Sequence, residues 1–312
     1  MDPHSRAPLP AELAHVLRHF RTQRPLRGGS LLVTIFGDAI APRGGAVALE
    51  SLIRLAAPFG LTERLVRTAA ARLAREGWLS ALRQGRRSEY RLSPGGAARF
   101  AEATQRIYAA APGEWERRWT LIVLPPGRAR PAGMREALRW HGFGQLHAAL
   151  FAHPGATPAE ALLWLRELPG AADALVLESR AADLAVDRRL AAQGWNLSEL
   201  GARYRRFVQR FEPLAGVLAA GAVGGECAFI ARTLLIHEYR RIHLQDPLLP
   251  PSLLPADWVG ARAYELARGL YARVLSPSEH YLSGSARQLD APLPAATPAL
   301  RARFGAPGAP RA

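Results

Sequence analysis

Between residues 61 and 92 the sequence gathers eight arginines (64, 67, 72, 75, 83, 86, 87 and 91) against three glutamates (63, 76 and 89). Guanidinium groups offer two kinds of recognition chemistry. They can donate paired hydrogen bonds to O6 and N7 of a guanine, or neutralise a phosphate and release its condensed counterion. Spacing separates the two roles. Arg64, Arg67 and Thr68 lie on the outward face at the start of a helical pattern, where base edges come within reach of a helix laid in the major groove. Arg72 falls on the flank of that pattern and suits a phosphate. Arg83, Arg86 and Arg87 surround Gly85 and suit phosphate or minor-groove contacts. With Thr62 at the head of the helix, the candidate DNA-binding residues are Thr62, Arg64, Arg67, Thr68, Arg72, Arg83, Arg86 and Arg87. The bland alternative is a solvated amphipathic helix followed by an ordinary hairpin.

The elements that must position these side chains are legible around them. Leu61, Leu65, Val66, Ala69, Ala70 and Leu73 form one apolar helical face. Thr62 is placed to cap the helix, Glu63 suits its first turn, and Gly77 stops it. Trp78–Leu82 and Ser88–Leu92 read as two strands turning at Gly85. Upstream, Ser30–Ile40 reads as a first helix. Val47–Ala57 reads as a second, with Leu49, Leu52, Ile53 and Ala56 inward, and Pro58-Phe59-Gly60 turns into the basic helix. Helix, helix, turn, helix and hairpin is the order of a winged helix-turn-helix. A linker helix follows from Ser93-Pro94 to about Ala110, with Ala98, Ala101, Gln105 and Tyr108 at helical spacing. This DNA-binding unit covers 28–112, after a flexible basic arm over 1–27.

Composition supports an anionic partner. The 312 residues carry a net charge of +15, and all 41 basic residues are arginine. Such an excess suits a nucleic acid, although the arginine bias itself also fits a GC-rich genome. The single cysteine, Cys227, excludes an internal disulfide and a cysteine-based zinc site, and reads as a small buried hydrophobe. No signal-peptide core and no run of transmembrane length is seen, so a cytoplasmic protein with no membrane partner is expected.

Residues 113–182 alternate strand and helix. Trp119–Leu124, Gly144–His153 and Asp173–Glu178 read as strands, Met134–His141 and Pro158–Leu168 as helices. The order suggests a ferredoxin-like domain whose fourth strand is not apparent. Residues 183–282 read as a mainly helical C-terminal domain. Its helices are Asp183–Arg210, broken near Gly194, then Glu226–Ile242 and Trp258–Leu275, capped by Asp257. Gly216–Gly225 reads as a hinge and Asp246–Pro255 as extended. Residues 283–312 read as a disordered basic tail. The fold class expected is α+β and multidomain.

Taken together these segments resemble the PaaX family, transcriptional repressors of phenylacetate degradation, over roughly residues 28–282. The carriers are Ser30-Leu-Leu-Val-Thr-Ile-Phe-Gly-Asp38, Leu61-Thr-Glu-Arg-Leu-Val-Arg-Thr68 with Glu76-Gly-Trp-Leu79, and Gly85-Arg-Arg-Ser-Glu-Tyr-Arg-Leu92. The most specific are Leu235-Ile-His-Glu-Tyr-Arg-Arg241, Asp246-Pro-Leu-Leu-Pro250 and Leu254-Pro-Ala-Asp-Trp258. The resemblance implies a homodimer on double-stranded operator DNA, an inverted repeat, and release by phenylacetyl-CoA or a related acyl-CoA. It also implies a middle domain similar to CRISPR-associated ferredoxin-like nucleases.

An acyl-CoA receptor needs arginines for phosphates and an aromatic-lined cavity for the acyl end. Trp195, Tyr204, Arg205, Arg232, His237, Tyr239, Arg240, Arg241 and Trp258 are the candidate ligand-binding residues; the bland reading of the aromatic ones is core. The rival function is an enzyme, either a metal-dependent ferredoxin-like nuclease or an acyl-CoA-processing enzyme. The similar nucleases carry an aspartate at the end of the first strand, where this sequence has Leu124-Pro125-Pro126. His141, His147 and His153 are spaced six apart, and on an extended strand His147 and His153 would share a face about 20 Å apart, too wide for one metal. Gly216–Gly225 lacks the Lys-Ser/Thr of a phosphate loop. No nucleophile, base and acid set is legible. No catalytic residue, no metal and no cofactor beyond the effector are expected.

Overall fold

The computed structural model describes residues 9–23, 28–110, 113–125, 133–171, 173–221 and 223–305. It is a mixed α/β protein with two small antiparallel sheets. The chain divides into two compact units: Met1–Ala109 with Arg206–Arg241 and Arg262–Ala312, and Ala110–Arg205 with Ile242–Ala261. The units therefore do not follow the expected linear division of the chain.

The first unit opens with helix α1 (Ala11–Thr22), which buries Leu13, Val16, Leu17 and Phe20. The sequence suggests a loose arm here. The apolar residues at i, i+3, i+4 and i+7 instead give the stretch a face to bury, and Phe20 stands edge-on to Phe59 at 6.2 Å. Residues 24–27 of that arm lie outside the described residues. Helix α2 (Gly28–Ile35) is shorter than its apolar run, which widens into a π-helical turn at Phe36–Ile40. Strand β1 (Ala46–Ala48) occupies the start of the expected second helix, so α3 runs only over Leu49–Ala56.

Helix α4 (Glu63–Arg75) is the basic helix. The Thr62 hydroxyl caps it by accepting from Leu65 N at 3.3 Å. It buries Val66, Ala69, Ala70 and Leu73, but Leu65 is 46% exposed. At 100° per residue Leu65 lies roughly 90° from the centre of that stripe, on its edge. Strands β2 (Leu79–Gln84) and β3 (Arg87–Leu92) form the hairpin, and β1 pairs with β3 to give the order β1-β3-β2. Gly85 turns the hairpin at φ +59°, a backbone that favours glycine. Helix α5 (Pro94–Tyr108), capped by Ser93, buries Gly96, Phe100, Ile107 and Tyr108. The face expected through Ala98, Ala101 and Gln105 is exposed, because the large Phe100 and Ile107 set the buried side.

In the second unit, β4 (Trp119–Val123), α6 (Met134–Trp140), β5 (Gly144–His147), β6 (Leu150–His153), α7 (Pro158–Arg166) and β7 (Leu175–Ser179) alternate. The long strand expected over Gly144–His153 is a hairpin, and β6 is the strand hidden in the sequence. Its apolar residues continue from β5 across a short turn, so nothing in the hydrophobic pattern marks the reversal. The sheet order is β5-β6-β4-β7, all antiparallel. One core gathers Ile122, Leu138, Phe143, Phe151, Ala161 and Leu165 from strands, α6 and α7. A second packs Trp119, Leu146 and Ala152 against Ala191 of helix α8 (Leu184–Gly194), with Leu197, Leu249 and Leu253.

Three long helices complete the chain: α9 (Leu197–Ala220), α10 (Gly225–His243) and α11 (Gly260–Ser285). The expected glycine hinge narrows, because Gly216 is helical. Helix α11 continues ten residues beyond the expected end despite Pro277. Residues 286–305, expected as disordered tail, are ordered. Leu289, Leu293, Leu300 and Phe304 are buried, and Tyr108, Tyr264 and Tyr271 surround the Phe304 ring. A few well-spaced apolar residues in a Pro- and Ala-rich stretch anchor it, with a single 3-10 turn at Pro298–Leu300 among its described residues.

Candidate functional site

The cationic candidates share one environment. Thr62, Arg64, Arg67, Thr68, Arg72, Arg83, Arg86 and Arg87 are all exposed. Arg64, Arg67 and Thr68 occupy the first turns of α4, and Arg83, Arg86 and Arg87 lie at the tip of the β2–β3 hairpin. Several already have partners. Arg67 pairs with Glu63 at 2.7 Å, one helical turn earlier. Arg72 lies 3.6 Å from Glu76, and its guanidinium packs where a Cβ on Gly29 would collide with it. Exposed i,i+4 pairs contribute only about 0.3–0.5 kcal/mol, so a stronger anion can claim Arg67. Arg87 is held more firmly. It donates to Leu289 O at 3.0 Å and pairs with Asp290 at 3.0 Å.

The nine aromatic and basic ligand candidates fall into two groups, one in each unit. Trp195, Arg205 and Trp258 line a cleft of about 640 Å³ in the second unit, with Arg139, Gln145, Ser198 and Asp257. Gly144 and Gly260 leave room for the two indoles, since a Cβ on either would strike the ring. Arg205 pairs with Asp257 at 3.2 Å. Asp257 is therefore an ion-pair partner rather than the cap of the last helix, which begins at Gly260. Tyr204 stands edge-on to Trp258 at 5.8 Å. Its own side chain is buried, and its hydroxyl donates to Asp246 at 2.7 Å beside His243 Nδ1 at 2.9 Å.

Of the other five, in the first unit, Arg232, His237 and Tyr239 are buried, and Arg240 and Arg241 are partly buried. Arg232 has no exposed surface and pairs with Asp38 at 2.6 Å and Glu279 at 2.5 Å. Asp38 also accepts from Tyr108 at 2.6 Å, Tyr271 at 2.9 Å and Arg303 at 2.7 Å. Burial alone would lift the Asp38 carboxyl. Arg232 and Arg303, helped by the two tyrosine hydroxyls, hold it below the usual carboxylate value. The same burial raises the Tyr271 hydroxyl to about 12, with the Asp38 charge adding to it. Arg240 donates to Ser30 O at 2.7 Å, Ser30 Oγ at 2.8 Å and Thr34 Oγ1 at 2.8 Å. Burial, and then the charge of Arg241, lowers its pKa to about 10. His237 is buried with Nδ1 3.1 Å from Thr34 Oγ1, and Tyr239 is fully buried. Arg241 and Arg210 both reach Glu238, at 3.5 Å. Arg232, His237 and Arg240 thus tie α2 and the π-helical turn to α10, and the buried Tyr239 packs against Phe207 and Phe304. Arg and aromatics at helical spacing look alike in sequence whether they line a cleft or a core.

Sequence reasoning missed Arg139 and Gln145, which lie far from Trp195 in the chain and meet it only through the sheet. His141 and His153 have structural contacts. His141 stacks on Trp164 at 4.5 Å. His153 Nδ1 accepts from Gly155 N at 2.8 Å and Ala156 N at 2.7 Å, and burial lowers its pKa to about 4. Strand β4 ends at Val123, and Pro126 lies outside the described residues. Among the described residues no three His, Cys, Asp or Glu side chains are placed to share a metal ion. No helix among them is long and apolar enough to cross a membrane.

Comparison with known proteins agrees with these segments. Residues 27–96 match the model of the PaaX-like protein family, and residues 195–284 match that of the PaaX-like protein C-terminal domain. The chain is 37% identical over 303 residues to the transcriptional repressor PaaX of Escherichia coli (strain K12), covering 95% of each. An uncharacterized protein of Mycobacterium tuberculosis of known structure is 27% identical, with a TM-score of 0.44, over 73% of this chain and 90% of that one. With basic helix, hairpin and C-terminal helices all inside the matched ranges, the chain belongs to the PaaX-like protein family.

Proposed function

We propose that this protein is a transcriptional repressor that holds operator DNA through a winged helix-turn-helix, with α4 as recognition helix and the β2–β3 hairpin as wing. The observation that carries this reading is the exposure of Arg64, Arg67 and Thr68 on the first turns of a capped helix and of Arg83, Arg86 and Arg87 on the hairpin, with Arg67, Arg86 and Arg87 rimming one hollow. It supplies base-reading donors where a helix meets base edges and cations where a wing meets phosphates. The likeness to the Escherichia coli transcriptional repressor supports the repressor role.

The second unit supports a ferredoxin-like reading, since its β-α-β-β-α-β order and antiparallel β5-β6-β4-β7 sheet match that topology. Leu175, 61% exposed, and Leu177, 47% exposed, lie two apart on the edge strand β7. An exposed apolar edge is a place for a second copy, so a homodimer on an inverted repeat is the proposed assembly. The effector is phenylacetyl-CoA or a related acyl-CoA, and its seat is the cleft at Trp195, Arg205 and Trp258. That cleft has the size of ordinary ligand sites and offers two guanidiniums, Arg139 and Arg205, for phosphates.

The test is a fluorescence-anisotropy titration of protein on duplex DNA from its own promoter region, repeated with phenylacetyl-CoA, other acyl-CoAs, free CoA and phenylacetate. A thioester should release the DNA, and Arg205→Ala should bind DNA normally but need at least tenfold more effector. If no CoA thioester changes DNA affinity at millimolar concentration, the effector reading fails. If no promoter DNA is preferred over scrambled duplex, the repressor reading fails.

A further inference from the structure

The segment after α11 returns to the basic surface. Ala48 N donates to Arg287 O at 2.9 Å, Arg287 N donates to Ser51 Oγ at 3.0 Å, and Leu289 N donates to the buried carboxylate of Glu89 at 2.8 Å. Gln288 N closes a turn onto Ala291 O at 2.9 Å, and Leu289 is buried. Residues 286–290 are therefore a strap fixed by its backbone across β1, α3 and the base of the hairpin. Its side chains at Arg287 and Asp290 remain exposed.

Arg287 faces the same hollow as the hairpin cations. About 380 Å³ in volume, it is rimmed by Arg67 of α4, Arg86 and Arg87 of the hairpin, and Arg287 of the strap. Glu50 and Glu63 also reach it, but each is in an exposed pair one turn away, with Arg54 at 2.9 Å and Arg67 at 2.7 Å. Four guanidiniums converging on one concave surface attract a multiply hydrogen-bonding anion. Asp290 already presents such an anion to Arg87.

We infer that the C-terminal strap is part of the nucleic-acid interface: beside the base-reading Arg67, Arg287 completes with Arg86 and Arg87 a seat for the duplex phosphate backbone, and Asp290 occupies Arg87 until a phosphate displaces it. The inference rests on the DNA-binding reading. It extends the interface from one contiguous segment to a residue about 200 positions away in the chain. The pair it breaks is exposed, and such pairs are weak beside a charge-assisted bond to phosphate.

The experiment measures affinity against salt concentration for the full chain and single variants, on operator and on scrambled duplex. Arg287→Ala should bind both duplexes roughly threefold to tenfold more weakly. It should also lower the log-log salt slope by about one, as expected when a single phosphate is no longer neutralised. Asp290→Asn should bind both duplexes more tightly. Arg287→Lys should recover most of the affinity that Arg287→Ala forfeits. Thermal melts serve to check that each variant is folded. Arg287→Ala with wild-type affinity and slope, or Asp290→Asn that binds more weakly than wild type, would overturn the inference. Arg86→Ala, measured alongside, keeps the outcomes distinct. If it lowers the slope while Arg287→Ala does not, only the strap is excluded and the DNA-binding reading stands.

Discussion

Arg232 and Arg205 show how one side chain serves opposite ends. Arg232 is fully buried and depends on Asp38 and Glu279, whereas Arg205 keeps an exposed face at a cleft, paired with Asp257. Removing one member of a buried charge network leaves the others unpaired and costs about 3–5 kcal/mol. Asp38→Asn should therefore destabilise the protein by about 3 kcal/mol or more in urea unfolding, while Arg205→Ala should change stability by less than about 1 kcal/mol. His153 gives a pH dependence. Its Nδ1 is committed to two backbone N–H groups and its folded pKa is about 4, below the ordinary 6.5. Between those values the unfolded chain binds the proton first, so stability rises with pH, by about 3 kcal/mol from pH 4 to 6.5. His153→Asn keeps an acceptor but does not titrate. Its stability should rise less with pH over that range than the wild type's, by urea unfolding at several pH values, and an unchanged slope would assign the pH dependence elsewhere.

At the scale of elements, legibility follows the hydrophobic period. Helix α4, its Thr62 cap, its stop at Gly77 and the turn at Gly85 are readable because each rests on a local signal. The β5–β6 hairpin is not, since an unbroken apolar run hides the reversal. Leu65 is misplaced by periodicity because a residue at the edge of a stripe is turned in or out by what packs beside it. Helix α1 and the strap escape the sequence for a related reason. Their anchors Phe20, Leu289 and Phe304 gain their value from partners far along the chain. The ligand candidates divide for the same reason, and Trp195, Arg205 and Trp258 meet at a cleft. One element yields a direct prediction. Strand β7 exposes Leu175 and Leu177 at a sheet edge. Leu175→Asp with Leu177→Asp should shift the protein from dimer to monomer in analytical ultracentrifugation with the circular dichroism spectrum retained; a dimer that persists would place the interface elsewhere.

At the scale of the whole molecule, the proposed release from operator DNA requires the DNA-reading surface to respond to the cleft at Trp195, Arg205 and Trp258. Half-site spacing is a geometric requirement for a dimer, so an effector can abolish specific binding without touching the recognition helix. A hundredfold loss of operator affinity requires about 2.8 kcal/mol of coupling, and linkage requires operator DNA to weaken effector binding by the same factor. The net charge of +15 ensures strong attraction to any duplex, so affinity alone does not establish the central claim, which is sequence reading by α4. Competition binding of Arg67→Ala against operator and scrambled duplex, at fixed salt, tests that claim most directly. Sequence reading by α4 predicts a loss of about 1–3 kcal/mol on operator with scrambled DNA nearly unaffected. An equal loss on both duplexes would contradict it and leave Arg67 as one more phosphate ligand.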